Sequence, residues 1–144
     1  MKKIYRNRSK GWFFSARKGK KMAKNDFSVI ACIILSYLYE SIKRGESANP
    51  DYLTNEFFHT NEVYFDFILG ELYKNGYVDG CKIIETKDGN CLFLYEDFHI
   101  TMAGIEYLES NESMAKAKSF ISEAHGWIDS LLMVLQLGAV FGGK

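Results

Sequence analysis

Several things are scarce in this chain of 144 residues, and each scarcity removes a class of answer. Proline occurs once, at Pro50. Cysteine occurs three times (Cys32, Cys81, Cys91) and histidine three times (His59, His99, His125), with no CxxC or HxxxH spacing to hold a metal. An odd count of cysteines argues against a disulfide framework and for reduced thiols in core or strand positions. No glycine-rich run followed by Lys-Ser/Thr is present, so a phosphate-cradling Walker loop is excluded. The apolar run Phe27–Tyr39 is too short to span a bilayer, which needs about 20 residues. No apolar core of signal-peptide length precedes Lys18. Serine, histidine and aspartate occur, but spacing alone assembles no triad. Glu96-Asp97 beside His99 reads as a solvated connection. The expectation is a non-catalytic, cytoplasmic protein without cofactor or metal.

Acid is also missing from one end. Residues 1–24 carry ten Lys/Arg and no Asp/Glu; residues 25–144 carry the other eight against all eighteen acids, 8 − 18 = −10, and the total of zero hides this division. A body of that charge repels phosphate backbones, whose attraction supplies nearly all non-specific affinity for DNA. The basic end interleaves Tyr5, Trp12, Phe13 and Phe14, as a nucleic-acid-binding arm would. Met22 opens MAKNDF, a plausible start, and Gly19-Lys20-Lys21 before it is encodable by a purine-rich ribosome-binding sequence. Residues 1–24 are therefore read as a leader outside the fold.

What is present is a recognisable order of elements. Asn25 and Asp26 cap a helix over Phe27–Lys43, with Phe27, Ile30, Ile34, Tyr37, Leu38 and Ile42 on one face. Asn49 and Pro50 open a short helix carrying Tyr52, Leu53, Phe57 and Phe58. Thr60 caps the next, with Phe65, Ile68, Leu69 and Leu72 at the spacing of a buried stripe and Asn75-Gly76 as its stop. Asp88-Gly89 between apolar runs predicts a hairpin turn, which sets Thr86 opposite Cys91 and Ile84 opposite Phe93. Thr101 caps a helix over Met102–Glu109. The fold class expected is mostly α with a small β-hairpin: a winged helix over residues 25–111, extended by a long C-terminal helix and tail over 112–144.

The outer face of the helix after Thr60 carries Val63, Asp66, Phe67, Gly70, Glu71 and Lys74. Base-reading helices present Arg, Lys, Asn or Gln there; this face offers one lysine, two acids and two apolar side chains. Burial on a second side, a protein partner and DNA reading are its three possible explanations. A protein partner is preferred. In the DNA alternative, Lys74, Lys82 and Lys87 make the phosphate contacts.

The C-terminal segment, read as one helix from Glu112 to Leu137, places Met114, Ala117, Ile121, Ala124, Ile128, Leu131 and Leu135 at spacings of 3 and 4, a heptad seam. Two occupants fit it: the chain's own first helix, or a second copy meeting it through Ile121, Ala124, Ile128, Leu131 and Leu135. From Trp127 on the helix is apolar nearly all round, which implies burial. A homodimer is expected.

Phe65–Leu72, NGYVDG at 75–80, ITMAGIEYLESNESMAKAK at 100–118 and Trp127-Ile128 are similar to the YjcQ-like family over roughly residues 26–128. The most specific part is Thr101, Gly104, Tyr107 and Leu108 in the pattern Thr-x-x-Gly-x-x-Tyr-Leu. The resemblance implies a small winged-helix protein of Gram-positive bacteria and their phages and prophages, and implies no enzyme activity or ligand. The leader and the apolar tail beyond Ile128 depart from the pattern. Intact-mass measurement of the native product tests the leader reading: a mass beginning at Met22 is expected, and one beginning at Met1 refutes it.

Overall fold

The computed structural model describes residues 22–87, 89–123 and 126–141. The basic leader, Asp88 and Ala124 lie outside these or, for Met22–Lys24, just at their edge.

Helix α1 (Phe27–Arg44) is the axis of the fold. Val29 to Leu38 are buried without a gap, so the helix is enclosed on every side rather than along the single stripe its periodicity suggests; Ile42, placed on that stripe, is exposed. The continuous run VIACIIL needs apolar neighbours all round, since a helix apolar on all faces is stable only inside a core. Arg44 ends it before Gly45, whose φ of 73° is the left-handed conformation a helix stop requires.

The segment after Pro50 is a 3₁₀ turn (Pro50–Tyr52) capped by the Asn49 side chain, followed by turns to Thr60, and not the short α-helix expected. Aromatic packing orders it instead: Tyr37, Tyr52, Phe57, Phe58 and Phe65 form a chain of ring contacts at 5.1–6.0 Å. Helix α2 (Glu62–Lys74) then begins one residue later than the sequence suggests, with Asn61 Oδ1 accepting from the Tyr64 amide at 2.8 Å. Thr60 is held in the preceding turn by Asn55.

Strands β1 (Val78–Thr86) and β2 (Gly89–Ile100) form an antiparallel hairpin. Thr86 pairs with Gly89 and Ile84 with Cys91, so the register is two residues away from the expected one. A shift of two preserves which side chains share a face. Cys81, Leu94, Ile83 and Leu92 turn toward the core, and Lys82, Ile84, Phe93 and Tyr95 lie outside. Strand β2 runs on through Glu96–His99, read above as a loop, because a bulge at Gly80 lets Val78 and Asp79 pair with Ile100 and His99. Gly80 has φ 89° and a Cβ there would stand 2.7 Å from the Asp97 carbonyl oxygen.

Helix α3 (Met102–Ser110) is fastened to the corner between α2 and β1 by the residues of the Thr-x-x-Gly-x-x-Tyr-Leu pattern. Thr101 Oγ1 accepts from the Gly104 amide at 3.1 Å and donates to the Gly76 carbonyl. Gly104 lies so close to Tyr77 that a Cβ would collide with its carbonyl oxygen and come within 2.6 Å of Ile100 Cγ1. Tyr107 stacks on Tyr77 at 4.2 Å, and Leu108 is buried.

The C-terminal segment is three helices, not one: α4 (Glu112–Glu123), α5 (Trp127–Val134) and α6 (Gly138–Phe141). Gly126, with φ 83°, takes the chain out of helical geometry, and Gly138 begins a short helix instead of ending a long one. Helix α4 packs against α1, and Met114, Ala117, Ile121, Ile128, Leu131 and Leu135 belong to the same buried cluster as α1. The seam is thus occupied by the chain itself. The homodimer expected through Ile121, Ile128, Leu131 and Leu135 finds no exposed surface on them, and Ala124 is outside the described residues. Helix α5 is not buried all round: Met133 and Val134 are exposed. Among the described residues, no helix is long and apolar enough to cross a membrane.

Gly104→Ala is expected to destabilise the fold by about 1–3 kcal/mol, the usual cost of overpacking a filled site, because the colliding atom is backbone. Urea denaturation measures it; a variant as stable as the parent contradicts the fastening described here.

Candidate functional site

All six outer-face residues of α2 meet the hairpin across one groove. Val63, Asp66, Phe67, Gly70, Glu71 and Lys74, with Glu62, form one wall; Ile83, Thr86, Gly89, Cys91 and Leu92 form the other, around a volume of about 570 Å³. The helix phase set by buried Phe65, Ile68, Leu69 and Leu72 turns these residues outward. The antiparallel pair Ile83–Leu92 supplies an apolar strip facing them. Lys82 and Lys87 are exposed on the hairpin but do not line the groove: Lys82 sits across from Phe93 on the outer face, and Lys87 is at the tip.

Burial on a second side is therefore not what makes this face apolar. Val63 is 81% exposed and Phe67 54%. Phe67 touches only the edge of the Phe27 ring from α1, at 6.2 Å between centroids, among the ring contacts described. Gly70 sits below them as a buried floor, and a Cβ added there would meet nothing within 4 Å.

The charges are unevenly placed. Three carboxylates (Glu62, Asp66, Glu71) share the wall with one ammonium, Lys74, whose Nζ is 3.9 Å from Glu71 Oε2. Glu62 and Asp66 are four residues apart, like charges on one helical face. The Asp66 carboxyl is held above its ordinary 3.8 first by burial and then by the Glu62 charge. Among the described residues, the groove lining thus carries no positive charge at its Glu62–Asp66 end.

The cysteines are chemically separated. Burial pushes the Cys32 and Cys81 thiols up to about 11, whereas Cys91 is exposed at the groove. Among the described residues, no group of three or more His, Cys, Asp or Glu could hold a metal ion.

The model of the family described as YjcQ protein matches residues 33–127, well over half of the 144. The chain belongs to the YjcQ family. The match spans most of α1, the groove, the hairpin and the fastening of α3, and ends where α5 begins. No curated protein and no solved structure matches the chain. In this YjcQ-family fold the helix–hairpin order is winged-helix-like, and the characteristic Thr101–Leu108 string serves to hold the hairpin corner rather than to line the groove. Sequence reasoning missed Glu62 and the second wall, Ile83 and Leu92.

The raised Asp66 carboxyl gives a pH test. An acid whose folded pKa lies above its unfolded value subtracts stability when ionised; the penalty is present above the folded pKa and vanishes as pH falls below the unfolded one. Asp66→Asn is expected to raise the melting temperature at neutral pH and to give no gain well below pH 3.8. Because Asp66 is only partly buried, the gain is small, under about 1 kcal/mol. Unchanged melting at neutral pH, or a gain that persists in acid, contradicts this.

Proposed function

We propose that this protein is a non-catalytic interaction module, an adaptor or inhibitor that takes a protein partner in the groove between α2 and the hairpin. The observation that carries the reading is the exposure of Val63 and Phe67 in a concave site bordered by carboxylates. Exposed apolar surface set in a polar rim marks contact sites on soluble proteins, and exposed aromatic side chains are common anchors of binding energy.

DNA recognition through α2 and the wing is the second reading, supported by the winged-helix-like order of elements, which is an analogy of fold alone. Electrostatics weigh against it. Residues 25–144 carry a formal −10, and the wall that would enter the major groove presents Glu62, Asp66 and Glu71 against one lysine close to Glu71. Acidic side chains there repel phosphates, and phosphate contacts dominate affinity.

Two measurements separate the readings. Phe67→Asp is expected to abolish nuclease-resistant capture of a partner from host lysate while leaving the melting temperature unchanged, since Phe67 is half exposed. The triple variant Lys74→Ala, Lys82→Ala, Lys87→Ala is expected to leave any affinity for duplex DNA and its salt dependence unaltered. A tenfold loss in that variant, about 1.4 kcal/mol, with a shallower salt slope, favours DNA.

A further inference from the structure

Glycine inside a helix has a cost that alanine does not, and a helix keeps one where the backbone must bend or a neighbour must come close. Gly45, Gly76 and Gly80 have positive φ, and Gly104 is pressed against Tyr77. Gly70 has neither reason. It lies in the middle of α2, its φ is not in the left-handed range, and nothing within 4 Å would obstruct a Cβ. The space above it opens into the groove. The fold does not require Gly70, and among the described residues nothing fills the groove above it.

The groove follows α2 from Glu62 to Lys74, 13 residues and so about 18 Å at about 1.5 Å per step, which matches three turns of a second helix. Along that length Glu62 and Asp66 run beside Val63 and Phe67 at the start of α2, while Glu71 and Lys74 pair near its end. Phe67 and Ile83 face a ligand near Gly70, while Glu62 and Asp66 lie toward the start of α2 without a cation on the lining. A ligand complementary to both is apolar along one face and basic at one end. We infer that the groove takes a cationic amphipathic helix of a partner protein, seated with a side chain over Gly70 and with Lys or Arg against Glu62 and Asp66.

This inference rests on the protein-binding reading and narrows it. Helix-in-groove docking places apolar anchors at i, i+3, i+4 and i+7 on a partner helix, and the exposed Val63 and Phe67 rims with the Gly70 floor supply a complementary surface. The Asp66 carboxyl is raised first by burial and second by the Glu62 charge, and a cation on the groove would offset the second cause. Duplex DNA fits neither half of the description, being a polyanion without an apolar face.

The test uses the full chain and a synthetic helical peptide of about three turns, with leucines on one face and lysines at one end, read by fluorescence anisotropy at physiological salt. Its controls are the same peptide with glutamate in place of lysine and a scrambled sequence of identical composition. Binding of the lysine peptide is expected to exceed that of both controls by tenfold or more. Gly70→Leu is expected to lose at least tenfold of that binding while melting no lower than the parent, because leucine is a better helix former and its Cβ has nothing within 4 Å. Glu62→Gln with Asp66→Asn is expected to weaken the lysine peptide and leave the scrambled one unchanged. Undiminished binding by Gly70→Leu, or a lysine peptide no tighter than its controls, overturns the inference. If the glutamate peptide is the tighter ligand and Phe67→Asp abolishes it, the cationic partner falls while the protein-binding reading stands. If the lysine peptide binds and Phe67→Asp leaves that binding unchanged, both fall.

Discussion

Everything else in this fold answers to the enclosure of α1. Ten successive residues, Val29 to Leu38, are buried, and no single partner element can cover a helix on all sides. The chain meets the requirement with α2, the base of the hairpin, α3 and α4, each of which packs on α1. At about 25 cal/mol per Å² of apolar surface, this shared burial is the largest favourable contribution available to the molecule. Polar groups inside it are few among the described residues: Ser41 donates to the Tyr37 carbonyl at 2.8 Å, and Ser36 lies beside the Cys32 thiol.

With α1 enclosed, the groove is what the second wall leaves over. Helix α2 places its buried stripe on the core and its opposite stripe outward. The hairpin leaves the same corner, Asn75–Tyr77, and is clamped there by Thr101, Gly104 and Tyr107. The angle between helix and hairpin is thereby set by contacts on the far side of the corner from the groove.

The outward stripe of α2 was legible in the sequence because Phe65, Ile68, Leu69 and Leu72 establish the helical phase, and the phase assigns every other residue. The opposite wall was not. Both strands carry adjacent apolar residues, so alternation does not select a face, and the Asp88-Gly89 turn signal sets a register two residues away from the Thr86–Gly89 pairing the chain uses. The enclosure of α1 was visible as a run, VIACIIL, but a stripe of i, i+3, i+4 positions can be drawn through any continuous apolar run, and it concealed burial all round. The C-terminal break shows the reverse problem. The 3–4 spacing continues from Ile121 to Ile128 across Gly126, because α4 and α5 both turn apolar residues toward one core. A period shared by two helices reads as one longer helix.

The distance in sequence between α1 and its cover has a consequence for synthesis. Helix α4, which closes over α1, begins at Glu112, nearly 70 residues after α1 ends at Arg44. At roughly 5–20 residues per second on the ribosome, α1 emerges several seconds before that cover exists. During that interval the run VIACIILSYLY, rich in β-branched and aromatic residues, is without its final neighbours, the circumstance in which apolar segments associate with other chains. Shielding of the nascent α1 over that interval is thus a requirement separate from the stability of the finished fold.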